Sequence, residues 1–156
     1  MIFVILGTQD SPFPRIIDRV LDAKKQLDLE DEIFVQKGTT LYTTPHAHVQ
    51  DYYEQSEYRS LLKTARVIVT HGGAGTIFQA LELGKKIIVM PRNSEFGEHN
   101  DNHQFELTKK LANEKYILFA EDDLRDALSK INDFKNKPYQ KKNSIQSAVE
   151  SFIDSL

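Results

Sequence analysis

The stretch Val67-Ile68-Val69-Thr70-His71-Gly72-Gly73-Ala74-Gly75-Thr76 constrains this chain more than any other. A run of three β-branched apolar residues reads as a strand buried on both faces of a parallel sheet. It feeds directly into small residues and then into a helix-patterned segment, so the turn is tight and its backbone is bare. Without side chains at Gly72, Gly73 and Gly75 an anion can approach the main chain, and the free N–H groups and dipole of a helix start favour negative charge there. Ala74 keeps the turn small, and Thr76 offers a hydroxyl donor. The same residues also describe a strand-to-helix turn that holds no ligand. Spacing narrows the choice of phosphate site: no Lys-Ser or Lys-Thr follows at the P-loop offset, and the turn is not the dinucleotide fingerprint that follows a first strand. His71 either donates to a phosphate oxygen or caps the turn.

The remaining sequence repeats this alternation. Residues 2–6 are a continuous apolar run ended by Gly7, and Pro12 and Pro14 stand where a first helical turn tolerates proline. Ile16, Ile17, Val20, Leu21 and Leu27 then recur at helical spacing. A second strand is expected at 32–36, while 39–53 is polar and aromatic and yields no assignable element. Helical patterning returns at 56–63 and at 75–83, the latter closed by Gly84. A strand at 86–90 stops at Pro91, a helix runs to about Asn113, a strand covers 116–119, and an acidic-started helix begins at Asp122. Residues 135–143 form a polar, proline-containing connector to a last amphipathic helix bearing Ile145, Val149, Phe152 and Ile153. Short apolar strands alternating with helices predict a doubly wound α/β sheet with ligands beyond the carboxyl ends of its strands. At 156 residues and 40% hydrophobic composition, one domain spanning 1–156 is expected.

The formal charge of -3 advertises no general attraction for nucleic acid. The chain has no cysteine, which removes thiolate chemistry and disulfides and fits a reducing compartment. The apolar start is too short for a membrane span.

A second polar segment, 91–104, follows the next strand and so opens on the same sheet edge as the glycine turn. Glu98, His99, Asp101, His103 and Gln104 offer the several directional donors and acceptors that sugar hydroxyls need. His99 and His103, four apart with Asp101 between, could instead hold a zinc ion, although the pattern is not H-E-x-x-H. A solvated loop with Asp101 as helix N-cap is the plain alternative.

Strand, H-G-G-x-G-T, helix, Gly, strand, Pro and then Glu-His-x-Asp-x-His-Gln resembles the C-terminal donor-binding domain of glycosyltransferase family 28. It is most similar to stand-alone subunits of two-component transferases, such as bacterial exopolysaccharide and capsule galactosyltransferase subunits and the dolichol-linked N-acetylglucosamine transferase subunit. The resemblance includes Gly7 and Thr8 and covers nearly the whole chain. It implies a Rossmann-like domain equivalent to the C-terminal half of a GT-B enzyme, and a UDP-sugar donor whose diphosphate meets Gly7, Thr8 and the turn from His71 to Thr76. Asp101, His103 and Gln104 then fall near the donor sugar. Gln79 stands where full-length relatives often carry a ribose-binding glutamate, and Tyr52 and Tyr53 are candidates beside the uracil, with core packing as the alternative for either ring. The resemblance further implies inverting transfer of a hexose, of galactose or N-acetylglucosamine class, to a polyprenyl-linked acceptor. A membrane-anchored partner subunit would supply the other half on the cytosolic face, with no cofactor and no bound metal. Asp10, Glu98 and His99 are the local candidates for a base. A nucleotide-sugar-binding module without turnover shares every phosphate feature.

Overall fold

The computed structural model describes residues 1–7, 12–98 and 103–139. Six parallel strands form one sheet in the order β3-β2-β1-β4-β5-β6. They are β1 Ile2–Ile5, β2 Ile33–Gln36, β3 His48–Gln50, β4 Val67–Thr70, β5 Ile87–Val89 and β6 Leu118–Phe119. The helices are α1 Pro14–Gln26, α2 Gln55–Thr64, α3 Ala74–Glu82, α4 His103–Asn113 and α5 Arg125–Lys130.

The central strands are apolar on both sides because helices cover both sides. Ile2, Val4, Val67, Val69 and Ile88 turn to the face packed by α1 and α5. Phe3, Ile5, Ile68, Ile87 and Val89 turn to the face packed by α2, α3 and α4. This period of two within continuous apolar runs is what burial of both faces of a parallel sheet demands. Helix α1 starts with Pro14, whose missing N–H would have had no partner in a first turn, and it ends with Lys24 and Lys25 on the favourable side of the dipole. It buries Ile16, Ile17 and Val20, each contributing roughly 1.5–3 kcal/mol.

Three local expectations are revised. The unassigned stretch 39–53 contains β3, a strand whose only partly covered side chain is Val49, so no apolar run announces it. It is held at the sheet edge by pairing with β2 and by His48 stacking on Phe34 at 4.5 Å. The strand expected at 116–119 shortens to two residues because Tyr116 and Ile117 are still leaving α4, with Lys115 at φ 64. Helix α5 begins at Arg125 rather than Asp122, since Asp123 accepts the Arg125 backbone N–H at 2.9 Å and Asp122 is drawn to Arg15 and Arg19. The last helix, with Ile145, Val149, Phe152 and Ile153, lies outside the described residues.

Candidate functional site

The strand order reverses between β1 and β4, so the chain leaves their carboxyl ends in opposite directions and a crevice opens between them. Thr70 ties the two ends together by donating its hydroxyl to the Ile5 carbonyl at 2.9 Å. Gly7 stands over β1 and the glycine turn over β4.

His71 fills the base of this crevice and is only 4% exposed. Its ring lies between two glycines: a β-carbon at Gly7 would stand 2.5 Å from the ring and one at Gly73 would stand 2.7 Å away. Both glycines are therefore required by the histidine itself, before any ligand is considered. Gly72, at φ 98, has a backbone that side chains rarely permit. His71 thus joins the two loops from beneath, closer to the turn-capping role than to an exposed phosphate donor.

The bare backbone of the turn is the start of α3. Gly73 occupies the N-cap without a side-chain hydrogen bond, and the first turn carries no acidic residue. Its N–H groups lack the usual side-chain acceptor and present a partial positive charge. Ala74 and Gly75 form the first two helical positions, and Gly75 is exposed with no atom within 4 Å of where a β-carbon would sit. Thr76 is partly buried in the first turn of α3. Tyr58 of α2 donates to the amide oxygen of Gln79 at 3.2 Å, so Gln79 lies one turn beyond Thr76 with its carbonyl engaged.

The second segment is anchored from within. Glu98 is 4% exposed, and Arg15 grips both of its oxygens, Nε to Oε2 at 3.0 Å and Nη2 to Oε1 at 2.8 Å. The Asn93 backbone N–H adds a third bond at 3.0 Å. Arg15 Nη1 reaches the Glu121 carbonyl and Asp122, each at 3.0 Å, and the guanidinium lies 4.9 Å from the Phe96 ring. Burial opposes the charge on Arg15, but the bonds and charge of Glu98 and Asp122 outweigh it and raise its pKa. Arg92 lies beside them, 5.0 Å from the Phe13 ring and bonded to the Glu98 carbonyl, with its pKa lowered by burial against the pull of Glu98. Glu98 was a candidate base and sugar ligand; the structure instead turns it inward, where its acceptor oxygens hold the loop together. A general base needs a free lone pair within reach of the proton it takes.

The uracil candidates separate. Tyr53 packs edge-on against Phe3 at 5.9 Å and donates its hydroxyl to the His48 carbonyl, a core assignment. Tyr52 is half exposed on the loop after β3, on the same sheet edge as the crevice, and its hydroxyl lies beside Gly38. Thr8, Asp10, His99 and Asp101 lie outside the described residues. His103 and Gln104 open α4, but their side chains are likewise outside the description. Among the described residues no cluster of three or more histidines and carboxylates could hold a metal ion.

Arg15 and Tyr58 are the residues, passed over by the sequence reading, that bond the candidate side chains Glu98 and Gln79. A cation in the first turn of α1 opposes the helix dipole, and that misplaced charge is the signal that Arg15 has a distant partner. Tyr58 gave no such sign.

The strand order and the loops gathered at its reversal define the class: a doubly wound α/β domain matching the C-terminal half of GT-B glycosyltransferases. The glycosyltransferase family 28 C-terminal domain matches residues 1–156, and the chain belongs to that family. The UDP-N-acetylglucosamine transferase subunit ALG13 of Mus musculus is 28% identical over 127 residues, 76% of this chain and 10% of that protein. The UDP-N-acetylglucosamine–N-acetylmuramyl-(pentapeptide) pyrophosphoryl-undecaprenol N-acetylglucosamine transferase of Streptococcus pneumoniae (strain JJA) is 30% identical over 105 residues, 65% of this chain and 30% of that enzyme. The chain therefore spans a tenth and under a third of these curated relatives. The solution structure of ALG13 superposes with a TM-score of 0.64 at 18% identity, covering 99% of this chain and 95% of that one.

Proposed function

We propose that this chain is the donor-binding part of an inverting, UDP-sugar-dependent glycosyltransferase. It transfers a hexose, of galactose or N-acetylglucosamine class, to a polyprenyl-linked acceptor in exopolysaccharide or capsule synthesis. The observation that carries the reading is the α3 N-terminus, without a side-chain cap, at the reversal of strand order, opposite Gly7. The N–H groups of Ala74, Gly75 and Thr76 take the donor diphosphate, and the same dipoles stabilise the negative charge that grows on departing UDP. Gln79 takes a ribose hydroxyl, Tyr52 lies beside the uracil, and Asp101, His103 and Gln104 serve the sugar. No cofactor is required.

A partner subunit, anchored in the membrane, brings the acceptor to the cytosolic face and completes the active site. Two facts support this part. ALG13 is named as a transferase subunit, and this chain covers 95% of its solved structure. With the Glu98 carboxylate held by Arg15, the base falls to Asp10, His99 or the partner. Among the described residues no helix is long and apolar enough to cross a membrane.

Calorimetry with UDP tests the site. Gly75→Val places its side chain in open space, so it obstructs a phosphate without disturbing the fold; UDP affinity is expected to fall about tenfold, or about 1.4 kcal/mol. Unchanged affinity in the folded variant removes the assignment. Gly73→Val is the poorer choice, since it would strike His71. Single-turnover assays with a lipid-linked acceptor, with and without the partner, then separate a transferase subunit from a module that only binds. The isolated chain is expected to bind donor and transfer slowly.

A further inference from the structure

We propose that Tyr58 is a positioning residue for the nucleoside end of this site, turning the Gln79 side chain so that its amide N–H2 group is the one offered to an incoming ribonucleotide. The inference rests on the donor-site reading above. Tyr58 sits on α2, wedged edge-on against Phe3 of β1 with ring centroids 5.6 Å apart. Its hydroxyl donates to the Gln79 amide oxygen at 3.2 Å. A phenol has one proton to give, and here it is committed to Gln79. Burial raises the Tyr58 pKa, so the hydroxyl stays a protonated donor at neutral pH.

Position gives the pair its purpose. Thr76 and Gln79 are three residues apart on α3, hence on one face. Gln79 is exposed and stands about 4.5 Å further along the helix axis than Thr76. That is the scale on which ribose hydroxyls follow the diphosphate they carry. With the carbonyl held by Tyr58, only the two N–H donors of Gln79 remain, and a ribose hydroxyl can accept from them. A freely turning amide would present either end. Tyr58 therefore converts an ambiguous side chain into a fixed donor, and a site lacking that hydroxyl partner leaves the donor unmatched.

Calorimetric titrations of the full chain with UDP, 2′-deoxy-UDP and 3′-deoxy-UDP, and inorganic pyrophosphate test this. Tyr58→Phe keeps the ring on Phe3 and is expected to fold, as circular dichroism checks. It should weaken UDP roughly fivefold, shrink the preference for UDP over the deoxy analogues, and leave pyrophosphate affinity unchanged. Adding Tyr58→Phe to Gln79→Ala should cost nothing further, because the hydroxyl acts only through the Gln79 amide. An unaltered preference in Tyr58→Phe overturns the proposal, and so does an equal loss for pyrophosphate, which would mark a merely structural role. A wild-type chain that binds pyrophosphate but shows no preference for UDP also overturns it while leaving the phosphate site standing. Failure to bind either ligand overturns the donor-site reading itself.

Discussion

Removing the Glu98 carboxylate is the perturbation that most sharply separates a catalytic from a structural reading of the second loop. In Glu98→Ala, Arg15 loses both of its contacts to that carboxylate, at 2.8 and 3.0 Å, and the Asn93 N–H loses its acceptor. The Arg15 side chain is only 11% exposed, so water cannot readily replace what is lost. Breaking one partner of a buried pair costs about 3–5 kcal/mol. Asp122 remains on Arg15 at 3.0 Å and softens the loss, which places the expected cost near the lower limit, about 3 kcal/mol. For a chain of this length that corresponds to a fall of about 6–12 °C in Tm. Urea denaturation followed by circular dichroism provides the measurement, with an unchanged m-value licensing the comparison. The double variant Arg15→Met, Glu98→Leu should recover at least half of the loss, because it removes the stranded charge rather than exposing it. If Glu98→Ala lies within about 1 kcal/mol of the wild type, the clasp is not what holds the loop. If Glu98→Gln then abolishes transfer at full stability, Glu98 returns as the base.

Two further perturbations test the frame around the crevice. Gly7→Ala puts a β-carbon 2.5 Å from the His71 ring, and should destabilise by about 1–3 kcal/mol as overpacking does. His71→Ala in the same chain should relieve most of that clash, and additive losses in urea titration would contradict the packing described here. Asp31, gripped by Arg66 at 2.8 Å, has its pKa lowered chiefly by that hydrogen bond, against burial. A depressed folded-state pKa means stability that is present above the unfolded value of 3.8 and lost as pH falls through the folded one. Wild type should therefore exceed Asp31→Asn at pH 6 and converge on it below pH 3.8, and a gap that stays constant in acid would refute the linkage.

The sheet was legible because burial on both faces writes itself as continuous apolar runs. Strands β1, β4 and β5 are such runs, and each was placed within a residue or two. Strand β3 was not, since His48 and Gln50 are exposed and only pairing with β2 makes the segment a strand. The start of α5 was misplaced for a related reason. Acidic residues ahead of a helix look like a first turn, but Asp122 has tertiary partners, Arg15 and Arg19, that no local pattern reveals.

The site divides along the same line. Spacing alone identified the turn from His71 to Thr76, because a buried strand ending in small residues and then a helix has few structural meanings. What spacing did not supply was the reason for each glycine. Gly75 lies in open space. Gly73 and the distant Gly7 are instead fixed by the ring of His71 between them, and Gly72 by its positive φ. The turn is thus a histidine-filled joint between β1 and β4 with one face left bare. Arg15 and Tyr58 act from α1 and α2, far from the motif in sequence, each holding a polar side chain at the rim by hydrogen bonds that only the folded chain assembles. A motif locates the bare backbone, whereas the groups that orient side chains around it come from wherever the sheet topology happens to bring them.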